Sequence, residues 1–294
     1  SPGGVKFGQI ADPVVPSHAY HKNKFSALHA SGEFCGMCHS VTHPVTKVAI
    51  ESTYYEWKRG PYAKAGITCQ DCHMTPGPGV EKPNPGKAAV DGPRREHVYT
   101  HEFVGGNVGI TELLGSPRHS NLAVERLKAA ATLEILLPSS AEPGRDAEIG
   151  VKVTNVGAGH SLPTGATEFR EMWLDVSVAD SSGREIFRSG AINEKGDIDP
   201  EAIVYNTIMG DKDGKPTEDI WKAAKILKDK RIPPKESSTE RYVVRVPADA
   251  VFPLRVKAYL KYRSARQSLV DELFGRGTVV LPIINMAEAV ADIK

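Results

Sequence analysis

Two short runs constrain this chain more than anything else in it: Cys35-Gly36-Met37-Cys38-His39 and Cys69-Gln70-Asp71-Cys72-His73. Both read C-x-x-C-H, and together they use all 4 cysteines of the sequence. Two thiols about one turn apart can each add to a vinyl group on one porphyrin edge, and the histidine that follows is carried under the iron as its proximal ligand. A lone C-x-x-C also suits a redox dithiol or half of a zinc site. Here neither pair sits in a βαβ pattern, and a four-cysteine zinc ribbon has no need of His39 and His73. The expectation is two covalently attached haem c groups, held by Cys35, Cys38, Cys69 and Cys72, with His39 and His73 on the irons.

The 294 residues are 40% hydrophobic and 25% charged, ordinary globular composition and enough chain for two domains. A formal charge of +1 gives no reason to expect a nucleic acid or another polyanion as partner. No apolar run approaches the length of a membrane span. Covalent haem is attached outside the cytoplasm in prokaryotes, and the lack of spare cysteines fits an oxidising compartment. The expected location is periplasmic or extracellular. The chain opens at Ser1-Pro2-Gly3-Gly4, so a signal peptide is expected to have been removed.

Residues 1–24 lack a periodic apolar face and read as an extended arm carrying His18 and His21. Phe25 to Leu28 suggests a short helix leading to His29, six residues before Cys35 and a candidate distal ligand. His43 precedes Pro44 in an extended stretch. Residues 46–59 read as a helix stopped by Gly60-Pro61, and Tyr54, Tyr55, Trp57 and Tyr62 are expected to pack on porphyrin faces. Residues 74–96 are a Pro- and Gly-rich loop that leads to His97 and to His101, a second candidate distal ligand. Residues 109–131 look helical around a break at Gly115-Ser116-Pro117, with His119 at the surface.

From about residue 132 the period changes to two. Ile149, Val151 and Val153 alternate with polar residues, as do Leu174, Val176 and Val178, and then Leu254, Val256, Ala258 and Leu260. These are half-buried antiparallel strands, and several over about 150 residues suggest an immunoglobulin-like sandwich. One helix is expected from Ile220 to Leu227, another around 266–274, and a helical tail at 286–293. The fold class is thus α+β: a loop-rich, partly helical dihaem domain over 1–131, an antiparallel β-sandwich over 132–283, and a C-terminal helical tail over 284–294. One sandwich loop stands out, Gly157-Ala158-Gly159-His160-Ser161-Leu162-Pro163-Thr164-Gly165. Its small residues would let a flat group approach the backbone, which makes His160 a third candidate distal ligand; the plainer alternative is a tight turn with an exposed histidine.

The stretch Leu28-His29, Glu33-Phe34-Cys35, Cys38-His39, Glu56-Trp57-Lys58, Pro61-Tyr62-Ala63 and Cys69 to Met74 resembles multihaem c-type cytochromes, the group that includes pentahaem nitrite reductases and octahaem hydroxylamine oxidoreductases. His101-Glu102-Phe103 and Gly105-Gly106-Asn107 resemble a later segment of such proteins. The loop at Gly159-His160 and Pro163-Thr164-Gly165 resembles one found in cytochromes with an appended β-sandwich. The resemblance implies bis-histidine, low-potential haems and electron transfer. The chain departs from the enzymes in having two motifs only and no C-x-x-C-K variant, so an electron carrier is expected rather than a catalyst.

Three functions remain open on sequence. The first is an extracytoplasmic dihaem electron-transfer protein, with His39 and His73 proximal, distal ligands drawn from His29, His101 and His160, and other redox proteins, including cytochromes, as partners. Met37 and Met74 lie too near their own motifs to cross the porphyrin, which leaves Met172, Met209 and Met286 as the methionine alternatives. The second is a redox enzyme or sensor with one five-coordinate haem. The third is a subunit of a haem-containing filament or other homo-oligomer, motivated by three distal candidates for two irons, one of which a neighbouring copy could use.

Overall fold

A computed structural model describes residues 4–14, 21–80 and 83–294, and the architecture is mixed α and β. His18 lies outside the described residues. Up to Ala130 the elements are short. Strands β1 (Val5–Gly8) and β2 (Lys22–Phe25) pair in parallel, β3 (Val41–Thr42) pairs with β4 (Ala49–Glu51), and β5 (Gly86–Lys87) with β6 (Arg94–Arg95). Helices α1 (Gly32–Gly36), α2 (Thr53–Arg59), α3 (Pro61–Lys64), α4 (Gln70–His73) and α5 (Val108–Leu113) span one or two turns, and α6 (Pro117–Ala130) is the longest.

Both C-x-x-C-H runs close the same local turn. His39 N–H donates to the Cys35 carbonyl at 2.9 Å, and His73 N–H to the Cys69 carbonyl at 2.9 Å. Each motif is thus a single helical turn that places its first cysteine and its histidine on one face.

Beyond α6 the strands lengthen. One sheet has the order β14 (Ser237–Arg245), β8 (Asp146–Asn155), β7 (Ala131–Leu136). A second runs β10 (Glu185–Ser189), β9 (Glu171–Ala179), β15 (Leu254–Arg263), β16 (Ile284–Ile293), with β11 (Val204–Tyr205) also on β9. The ladders of both sheets are antiparallel, and β12 (Thr207–Gly210) and β13 (Lys225–Asp229) form a separate hairpin. The sheets bury their alternating residues against each other. One cluster joins Ile149, Val178, Val244, Val256 and Ile293, and a larger one joins Val151, Val153, Leu174, Val176 and Leu260. Leu122, Ala123 and Leu127 of α6 belong to the larger cluster, so that helix is anchored on the sheets. Helix α7 (Gln267–Phe274) lies where the pattern placed it.

The structure differs from the sequence reading in three places. Residues 284–293, expected as a helical tail, form β16 along the whole of β15. The Ala-rich segment favours helix locally, but β15 offers a row of backbone partners, and Ala287, Ala289, Ala291 and Ile293 turn inward at every second position. Of the helix expected over 220–227, only a 3-10 turn at Ile220–Lys222 forms, and Lys225–Asp229 pairs with β12 instead. Of 46–59, Ala49–Glu51 is strand and only Thr53–Arg59 is helical; Val48 and Ile50 suit an extended chain better than a helix. Among the described residues no helix is long and apolar enough to cross a membrane.

Candidate haem-binding site

None of the four cysteines is in a disulfide, and the thiols of Cys35 and Cys69, the first cysteines of the two motifs, are in contact. The Cys69 thiol facing Cys35 holds Cys35 down to about 7, and the same contact pushes Cys69 up. Glycines make room for the aromatic wall behind the first motif. A Cβ on Gly32 would stand 2.5 Å from the Trp57 ring, and one on Gly36 would stand 2.7 Å from the Tyr54 ring. Trp57 is fixed by an indole N–H to the Ile67 carbonyl at 2.8 Å, and Tyr62 donates its hydroxyl to the Val156 carbonyl at 3.0 Å.

Hydrogen bonding sorts the histidines. A metal-binding imidazole must keep one ring nitrogen unprotonated and free, and its other N–H is held by a nearby acceptor. His39, His73 and His160 meet this condition. Nδ1 of His39 bonds the Glu51 carboxylate at 3.0 Å, Nδ1 of His73 the Val104 carbonyl at 2.8 Å, and Nδ1 of His160 the Ser161 carbonyl at 3.0 Å. Each acceptor fixes the proton on Nδ1 and leaves the Nε2 lone pair without a hydrogen bond. Burial above all pushes His73 down to about 4, with His160 adding to it, and burial also lowers His160. Both rings are therefore neutral at pH 7.

Other histidines fail the test. His43 accepts the Val45 and Thr46 N–H groups at Nδ1 and donates Nε2–H to the Trp221 carbonyl at 3.0 Å. His119 bonds Ser116 at Nδ1 and Glu102 at Nε2. His97 accepts the Asn84 N–H at Nδ1, which puts the proton of the neutral ring on Nε2. His21 and His29 each have a buried Nδ1 without a partner, so no acceptor fixes their tautomer.

His73 and His160 come together from opposite halves of the chain, with ring centres 6.2 Å apart and planes 18° from parallel. A metal ion bonded to both Nε2 atoms at the usual length of about 2.0–2.1 Å would hold two ring centres about 6.3 Å apart. The residues fit a bis-histidine iron at this point. The other two distal candidates, His29 and His101, both line a cavity of about 450 Å³ with Cys35, Cys38 and His39, walled by Phe7, Phe34 and Phe103. This volume lies in the range of small-molecule sites. The ring of His29 stacks on Phe34 at 4.6 Å, its Nδ1 is buried without a partner, and His101 is exposed. Met74 lines the same cavity, whereas Met172, Met209 and Met286 are buried among the strands.

Three residues that position His160 escaped the sequence reading. Asn155, fully buried at the end of β8, donates to the His160 carbonyl at 2.9 Å and to the Ile232 carbonyl at 3.1 Å, and accepts the Ala158 N–H. Glu56 of α2 accepts the Ser161 N–H at 3.2 Å and the Thr164 hydroxyl at 2.8 Å. It also pairs with Arg231, whose guanidinium holds Asp229 as well. The loop is thus clamped from the strand side by Asn155 and from the helix side by Glu56. Two of its glycines have reasons other than a porphyrin edge: a Cβ on Gly157 would meet the Ala129 carbonyl at 2.2 Å, and Gly165 has φ +83°.

No family model matches the chain, and no curated protein does. Among solved structures the chain is similar to a penta-heme cytochrome c552 from Thermochromatium tepidum, at 21% identity and a TM-score of 0.63, over 97% of this chain and 63% of that one. The chain therefore spans less than two thirds of that cytochrome's length, and the likeness shows a shared fold. The CARDB domain of PF1109 from Pyrococcus furiosus matches 56% of this chain and 85% of its own at 16% identity, with a TM-score of 0.25.

Proposed function

We propose that the chain is an extracytoplasmic c-type cytochrome that carries electrons through two bis-histidine haems, with its strands forming an immunoglobulin-like sandwich behind them. The observation that carries this reading is the His73–His160 pair, two neutral imidazoles with Nδ1 occupied, Nε2 free and the span of one metal between their centres. Cys69 and Cys72 would tether one haem beside this pair, and Cys35 and Cys38 the other beside His39. A bound haem supplies a one-electron couple. The protein's residues would hold it, with His73 and His160 as imidazole ligands to one iron. With His73 and His160 both available to one iron, the reading is a carrier whose partners are other redox proteins, in the periplasm or outside the cell.

Fold similarity to a multihaem cytochrome supports the same reading. A second reading, a subunit of a haem-bearing filament, is favoured by one observation: His29 and His101 both line the cavity beside Cys35 and Cys38, and one iron there takes only one of them. The other imidazole would be free for a neighbouring copy. Mass and optical spectra test the main reading. Natively matured protein should exceed its polypeptide mass by two haems, and His160→Ala should turn one iron high-spin while the other stays low-spin. A mass equal to the bare chain, or an unchanged low-spin spectrum in His160→Ala, would refute it. Sizing and electron microscopy of native material decide between a discrete carrier and a filament.

A further inference from the structure

The two proximal histidines differ in what holds their Nδ1 proton. His73 donates to a neutral backbone carbonyl, that of Val104, at 2.8 Å. His39 donates to a carboxylate, Glu51, at 3.0 Å. This contact is built rather than incidental. Glu51 pairs across the strands with Val41, two residues beyond His39, and Tyr54 at the start of α2 donates its N–H to the His39 carbonyl at 3.0 Å. The Glu51 side chain is 21% exposed and its Oε1 takes the Thr53 hydroxyl as well, at 3.3 Å. Beside the second motif, the Arg126 guanidinium donates to the Cys72 carbonyl at 3.1 Å and the Thr75 carbonyl at 3.0 Å. Asp71, inside that motif, faces Thr68 and Tyr99 rather than the His73 ring. Glu56, near His160, is matched by Arg231.

We infer that Glu51 is a positioning residue that makes the two irons unequal: it gives His39 imidazolate character and holds the iron on His39 at a lower reduction potential than the iron on His73. A carboxylate draws the Nδ1 proton more strongly than a carbonyl does, so the imidazole donates more electron density through Nε2 and favours the oxidised metal. The negative charge acts in the same direction, because the oxidised iron carries one more positive charge than the reduced one. An electron entering at the His39 end is thus driven toward His73 and His160, across the contact of Cys35 with Cys69. The inference rests on the dihaem reading above.

The test is a spectropotentiometric titration of the matured holoprotein, its haem content established first by mass. The two couples are assigned with His160→Ala, which perturbs only the couple of the His73 site. In Glu51→Gln the couple assigned to His39 should rise until the reduced-to-oxidised ratio at the original midpoint is about ten to one, 59 mV for a one-electron couple. The His73 couple should stay in place. Glu51→Asp keeps the charge with a shorter reach and should give an intermediate shift; it carries the test if Glu51→Gln does not load haem. Two loaded haems with both couples unmoved, or a shift confined to the His73 couple, overturn the inference and leave the dihaem reading standing. A matured protein without haem overturns both.

Discussion

The clamp on the His160 loop can be broken at a single carboxylate. Glu56 and Arg231 have side chains 10% and 11% exposed, and removing one partner of a buried pair typically costs about 3–5 kcal/mol because the other charge is stranded. Arg231 is not fully stranded here: Nε and one terminal nitrogen hold Asp229 at 2.8 and 2.7 Å. Thr164 likewise keeps Thr53, at 2.8 Å. The lower end of the range applies, and Glu56→Ala should cost about 3 kcal/mol at pH 7. At about 2–4 °C per kcal/mol that is a fall of at least about 6 °C in Tm. The pH dependence has a definite sign. Burial alone would raise the Glu56 carboxyl, but Arg231, Thr164 and Ser52 more than reverse it and hold it below the usual range. A lowered folded-state value contributes stability above the unfolded value of about 4.3, and that contribution fades as pH falls through the folded value. The gap between wild type and Glu56→Ala should therefore be widest at neutral pH and narrow on acidification below about 4. Thermal unfolding across pH, followed on the holoprotein with its visible spectrum, reads both effects. A variant within about 0.5 kcal/mol of wild type at pH 7, the range of an ordinary surface site, would refute the clamp. So would a gap that does not change with pH.

Two further outcomes are expected. Glu168 is buried with neither carboxylate oxygen hydrogen-bonded, and burial raises its carboxyl above the usual range; a raised value stabilises only at low pH and is lost as pH climbs through it, so Glu168→Gln should raise Tm at pH 7–8 and not at pH 4, and a lower Tm at pH 8 would count against it. A fragment 117–294, which keeps α6 and β16, should unfold cooperatively without haem, whereas 132–283 strips Leu122, Leu127, Met286 and Ile293 from the shared clusters and should not; equal cooperativity of the two would show that neither element supports the sheets.

What could be read from the sequence was whatever is local. The C-x-x-C-H turns are complete within five residues, and the long strands announce themselves by period two in Ile149 to Val153 and Leu254 to Leu260. What could not be read depends on distant partners. Residues 284–293 carry alanines that favour helix in isolation and become strand because β15 has an edge to fill. Glu51 and Glu56 look like any surface acid in sequence; only the contacts across 12 and 105 residues, to His39 and Ser161, give them their roles. Glycines 157 and 165 invited a reading in terms of a flat ligand and turned out to serve the Ala129 carbonyl and a left-handed turn.

The histidines show why composition alone could not rank the ligands. Ten residues of one type differ by which nitrogen keeps its proton, and that is decided by partners that range from the next residue, Ser161 for His160, to Val104 for His73. His97 and His160 are both loop histidines beside small or polar residues, yet an N–H from Asn84 reaches Nδ1 of the first and the Ser161 carbonyl takes Nδ1–H of the second. The same logic separates the two proposed sites. His160 stands on a loop fixed at both ends, by Asn155 on β8 and Glu56 on α2, while His73 is fixed through the segment at Val104 that packs with α6 in the larger cluster. Both imidazoles of that pair are therefore tied to the sheet core, and their 6.2 Å spacing is set by well-packed parts of the molecule. At the other site His29 lies in the 3-10 turn Ala27–Ala30 with its Nδ1 unpartnered, and His101 lies in the loop before α5. The His73–His160 pair therefore has its geometry fixed by hydrogen bonds within the fold, and His29 and His101 do not.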